Sequence, residues 1–529
     1  MKYVLVISFA MLLSCSQQQP SEEPSDTQLG NLGHQFTINT AAAESFEKGL
    51  LLLHSFEYED ARTAFEAAQK ADKSELMNYW GIAMTHYKAL WGLQDVEAGR
   101  ELMRQLGETQ KERLAKFEDP LEKDFWQGIE LLYGEGELLE RNKQYVAHMK
   151  EVYERRSDNQ EVAAFYALGL MWSGYDNQEN LDLSSKVASS ILKENPTHPG
   201  ALHYMIHAND DPQYALQAIE AANEYAQVAP DAAHALHMPS HIYVALGMWK
   251  EVVSSNADSY QASISRVERM GLSGKDRGYH SMAWLHYGYL QLGQYDKAAE
   301  LMKEMISYNY DNTASNSYLI MMQNQHRIES GSWPDSLEFQ DVDVSALRIG
   351  MEGKAKIHFL KSLLAFDEDN VEIIKSQIES LALHLEAAKI QVTDEGVSLC
   401  SAGPTRYAPD QESIDRTQVV LYQMLALAAY LNEDEKETEE FLKKAVALEK
   451  EVGYDPGPPF IALPSYEQYG EWLLTQKRYD EALDQFEQSL VQRTNRVKAL
   501  KGKQAALMAL GREEEANKVG ELLRKLDVV

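Results

Sequence analysis

The chain has 529 residues, 44% hydrophobic and 25% charged, which is enough apolar material for several cores or one long repeat array. Asp and Glu number 82 against 50 Lys and Arg, a net charge of -32. A surface that acidic repels phosphate backbones and excludes nucleic acid from the expected partners, while it attracts cations and basic proteins.

The segment Met1 to Cys15 reads as a leader rather than as fold. Lys2 gives a positive start, and Tyr3 to Leu13 is an apolar run interrupted only by Ser8. That suits a signal-peptide core and falls short of the ~20 residues a membrane-spanning helix needs. The segment ends Leu12-Leu13-Ser14-Cys15, which resembles the lipobox of bacterial lipoproteins. The resemblance implies cleavage before Cys15 and attachment of a palmitate-bearing diacylglyceryl group to its sulfur. Residues 16–40 open on a polar stretch rich in Ser, Gln, Glu and Pro and form a tether. The expected location is the periplasmic or cell-surface side of a Gram-negative outer membrane, held by the lipid anchor only. Cys400 is the one other cysteine, so no disulfide framework is expected.

From about Thr40 the pattern is helix after helix, without alternating strand runs. The interval from Pro196 to Pro230 is the same as that from Ala482 to Ala516. A fixed period of that length, about 34 residues, signals a solenoid. Matching units are Gly49/Ala61/Phe65/Ala68, Tyr243/Leu246/Gly247/Trp249, Tyr289/Leu292/Gly293/Tyr295/Ala298 and Gly470/Tyr479/Ala482/Phe486. On these residues the chain resembles the tetratricopeptide repeat (TPR) family. The fold class expected is all-α, a superhelix with a concave groove in which each repeat is buried only against its neighbours. Breaks at Ser330–Pro334, Cys400–Pro404 and Asp455–Pro459 suggest a first array over 41–330, an irregular helical connection over 331–415 and a C-terminal array over 416–529.

Histidine carries the chemical signal. Six of the 15 fall between His198 and His241. His203 with His207, and His237 with His241, have the i, i+4 spacing that puts two rings on one helical face. The second pair follows the first by one full repeat period, so the two are expected side by side on stacked repeats. The candidate metal ligands are His203, His207, His234, His237 and His241 with Asp210 and Asp211, the aspartates expected on the same face just beyond His207. His198 and His280 are expected to line the groove. Pro239 implies a kink or a late helix start among these histidines. The stretch from His198-Pro199-Gly200-Ala201-Leu202-His203-Tyr204 to His234-Ala235-Leu236-His237-Met238-Pro239-Ser240-His241 resembles a group of bacterial TPR proteins sharing this motif, a likeness that implies no established activity.

Three readings stay open: a site for one divalent transition metal (zinc, copper, iron or nickel), a polar groove for an organic ligand or peptide, and histidines packed without any ligand. No phosphate-cradling loop, nucleophile elbow or calcium loop is present, neither pair is His-Glu-x-x-His, and no catalytic residue is assigned. The leading expectation is therefore a scaffold binding a protein, peptide or ligand in its concave groove, with the histidines as a candidate metal site. The alternative is a metal-dependent hydrolase or another enzyme using the histidine cluster. Trp80, Trp91, Trp249 and Trp284 are read as core rather than as groove.

Overall fold

The computed structural model describes residues 28–527, apart from 34–35, 37, 39–40, 89, 91, 174–176, 309–312, 335, 343–348 and 393–407. The leader with Cys15, most of the tether, Trp91 and Cys400 lie outside the described residues.

Helices run from Ala43–His54 to Glu513–Lys525, and the only paired strands among the described residues are Tyr87–Lys88 and Leu93–Gln94, antiparallel with Tyr87 opposite Gln94. The architecture is the all-α helical-repeat superhelix that the period implied. No helix among the described residues is long and apolar enough to cross a membrane. Between the two arrays, the helix Met351–Asp367 packs on Val371–Lys389.

Small residues set the layer spacing. The ring of Phe65 lies against Gly49 on one side and Gly81 on the other, and Phe486 sits likewise between Gly470 and Gly502. A Cβ at any of the four would run into the ring, so glycine is what lets three successive helices share one aromatic filler. Gly247 and Gly293 end their helices at φ +64° and +70°, a conformation that costs a side chain its Cβ clearance.

The superhelix also closes on itself. Trp249 Nε1 donates to the carbonyl of Asn495 (2.9 Å), and the Val497 N–H donates to Gln291 Oε1 (3.0 Å). Arg496 is fully buried, donating to the Tyr287 hydroxyl (2.8 Å) and pairing with Glu467 (2.5 Å) and Glu329 (2.6 Å). One apolar core runs from the first repeat to the last. This corrects the expectation that repeats touch only their neighbours, because these contacts join segments more than 200 residues apart, from the first array and the C-terminal one.

Candidate functional site

The histidine helices are Pro199–Ala208 and a pair broken at Met238, Ala233–His237 and Pro239–Ala245. Pro199 and Pro239 each begin a helix, where the missing N–H costs nothing. Pro239 therefore breaks the second histidine helix between His237 and His241 while Met238 keeps helical angles, so the two rings stay near one another at 5.0 Å between centroids.

The imidazoles assemble into two groups. In His203, His207 and His234 one potential ligand atom per residue lies within 4.8 Å of the others, and the same holds for His237, His241 and His280. The sequence pairing put the two i, i+4 pairs together at one point. The structure instead completes each pair with a histidine from the following repeat, His234 for the first and His280 for the second. The groups are contiguous, with His207 5.6 Å from His241 and His234 6.0 Å from His237 between centroids.

Hydrogen bonds fix which nitrogen each ring offers. His203 Nδ1 donates to the carbonyl of His54 (2.7 Å), and its Nε2 is buried without a hydrogen-bond partner. His237 Nδ1 donates to Asn256 Oδ1 (2.7 Å), again leaving Nε2 buried and unpartnered. The Asn256 amide is oriented by its own Nδ2 donating to the Val252 carbonyl (2.8 Å). His241 Nδ1 meets Asp210 Oδ2 at 2.5 Å. Both nitrogens of His207 lack a partner, as does Asp210 Oδ1. Burial first, and then neighbouring imidazoles, pushes His203, His207, His234 and His237 well below the ordinary histidine range, so these rings are neutral at pH 7. A neutral ring with Nδ1–H tied to an oxygen and Nε2 left bare is the form in which histidine binds a metal, and the acceptors are the outer shell that orients it. An unpaired buried polar atom otherwise costs about 1–3 kcal/mol.

Three expected site residues fall elsewhere. His198 does not line a groove: it is fully buried, caps the Pro199–Ala208 helix by accepting the Ala201 N–H (3.2 Å), and donates Nε2–H to Glu161 (3.2 Å). His54 donates to the other Glu161 oxygen (2.8 Å) and accepts the Tyr204 hydroxyl (2.8 Å). Burial pushes the Glu161 carboxyl up, but the two imidazoles outweigh it and hold its pKa at about 2. With its hydrogen bonds made, this triad braces the site through the His54 carbonyl. Asp210 lies beyond the end of its helix rather than on it, and its carboxylate orients His241. Asp211 joins neither group; its Oδ1 accepts the Gln213 N–H (2.7 Å) in the turn that follows.

The walls are aromatic. Phe56, at φ +56°, lays its ring 4.2 Å from His203, 6.0 Å from His207 and 5.8 Å from His234. Such an angle is uncommon for a side chain this bulky, and the turn after Ala43–His54 is what imposes it. Trp284 is buried as expected, but it also serves the site, lying 4.8, 4.5 and 5.3 Å from His237, His241 and His280. Gly457, from the Pro-rich segment near the C-terminus, presses so closely on Trp284 that no Cβ would fit. Asn256, Phe56 and Gly457 were not legible as site residues. Trp284, at i, i+4 from His280, carried a usable signal.

No family model and no curated protein matches the chain. Among solved structures it is similar to the TPR domain of P58(IPK), at 13% identity over 89% of this chain and 99% of that one with a TM-score of 0.22. It is also similar to the APC/C hetero-tetramer Cut9-Hcn1 (10% identity, 92% of this chain and 75% of that one, TM-score 0.37) and to yeast Tom70 (11%, 89% and 96%, TM-score 0.28). The likeness is one of helical-repeat architecture and carries nothing about function.

Proposed function

We propose that this protein is a lipid-anchored helical-repeat scaffold of the cell envelope that holds a divalent transition metal through His203, His207 and His234 and presents its repeats to a protein or peptide partner. The observation behind the metal reading is fully buried His203 beside half-buried His207, both neutral: His203 Nε2 and both His207 nitrogens are buried atoms without a hydrogen-bond partner, and the two rings converge with His234 of the next repeat. The His54 carbonyl backs the far side of His203. Neutral imidazole suits zinc, copper, iron or nickel, and the protein's acidic surface draws cations toward it. Full-length protein purified without a histidine tag is expected to carry metal in elemental analysis, and the folded His203→Ala/His207→Ala variant to lose it from this group. Wild type that is metal-free and takes up neither zinc nor copper would reject the reading.

The anchor rests on Leu12-Leu13-Ser14-Cys15. Cys15→Ala is expected to move the protein from the membrane fraction to the soluble one and to abolish palmitate labelling. A variant that still sediments with membranes would refute it.

A further inference from the structure

The second histidine group repeats the first. His237 and His241 stand one repeat period after His203 and His207, and His280 completes them from the next repeat just as His234 completes the earlier pair. The outer-shell pattern is repeated too, with different acceptors. Where His203 leans on a carbonyl, His237 leans on Asn256 (2.7 Å) and His241 on Asp210 (2.5 Å), and His280 Nδ1 lies 3.1 Å from the Tyr318 hydroxyl. His237 is 2% exposed and its Nε2 is unpartnered.

We propose that the histidine cluster is a two-metal centre, with His237, His241 and His280 holding a second divalent transition-metal ion beside the one at His203, His207 and His234. This rests on the metal reading above and goes beyond it. Six imidazoles are too many for one ion of the kind that closes its shell at four ligands. Two ions with three histidines each leave a coordination position open on both, the arrangement of catalytic rather than structural sites. Adjacent ions also repel, and Asp210 supplies the compensating charge. Its side chain is 2% exposed, with one oxygen on His241 and the other buried without a partner. Each position has one buried ring, His203 or His237, and one half-buried ring, His207 or His241, and the two differ in the third member, half-buried His234 against exposed His280. The second ion therefore sits at the solvent side under Trp284 and exchanges faster.

The test uses the full-length untagged chain, stripped with a chelator and reloaded with cobalt(II) or copper(II), beside His280→Ala and His207→Ala. His280 is exposed, so its loss leaves the fold intact, which circular dichroism checks. About two ions per wild-type chain are expected, falling to about one in either variant. Copper-loaded wild type should show broadening of the electron paramagnetic resonance signal, absent from the one-ion variants, because the two histidine groups are contiguous, with His207 5.6 Å from His241 between ring centroids. One ion in wild type, retained in His280→Ala, would overturn the second site and leave the first reading standing. One ion lost in His280→Ala would overturn the pair by placing the single ion at the outer group. No ion at all would fail the metal reading itself.

Discussion

At the scale of single residues, the proposed metal site depends on groups outside its ligand set. Asn256 holds His237 in the tautomer that bares Nε2, and its amide is itself fixed by the Val252 carbonyl. Asn256→Ala is therefore expected to weaken retention of the outer ion about 10–100-fold, the usual effect of losing such a partner, while leaving the inner ion unchanged. Competition with a graded series of chelators reads this directly. Equal affinity in the folded variant would remove Asn256 from the site. Residue-level burial also explains why His198 looked like a groove residue and is not one. It belongs to the same histidine-rich run, but as the cap of its helix its ring turns inward to Glu161.

Between elements, the helices Tyr279–Gln291 and Thr313–Ser330 bring His286 and His326 to 3.4 Å inside the stack, away from the site. Burial pushes His286 well below the ordinary histidine value and His326 down to about 4. Both are bases whose folded form resists protonation. Below the ordinary histidine value of about 6.5 the unfolded chain binds protons that the folded chain refuses, so stability is full above that pH and falls with acidification. Each such histidine adds a slope of about 1.4 kcal/mol per pH unit, ending near pH 4 for His326. Urea unfolding of metal-free protein from neutral pH down to about pH 4 should show the decline, and His286→Gln/His326→Gln should flatten part of it. An unchanged slope in the variant would assign the acid sensitivity elsewhere.

For the whole molecule, closure changes what truncation does. An open solenoid tolerates loss of terminal repeats, because each unit is buried only on its neighbours. Here the C-terminal repeats cover Trp249 and Tyr287, and Gly457 backs the tryptophan of the outer histidine group. Arg496→Ala would leave Glu467 and Glu329 buried without their common partner, a loss expected to cost about 3–5 kcal/mol. Its urea midpoint should drop and protease nicking of the 453–464 segment should rise. A midpoint equal to wild type would mean that the two arms are energetically independent despite their contact.

What the sequence determined by itself was everything local. Helix periodicity, the glycines that admit Phe65 and Phe486, the repeat period and the two i, i+4 histidine pairs all follow from rules acting within one or two turns or one repeat, and all are present in the fold. Only the tertiary structure decided which imidazoles meet. That depends on how successive repeats rotate and on the longer stretch between His241 and His280, neither of which leaves a mark on the residues involved. The same holds for the acceptors. Asn256 lies in a helix of ordinary composition, and the carbonyl behind His203 belongs to His54, 149 residues earlier in the chain. Closure is longer in range still: Arg496 reads as one more surface arginine until Tyr287, Glu329 and Glu467 are brought around it, because burial is a property of the packed chain and not of the residue.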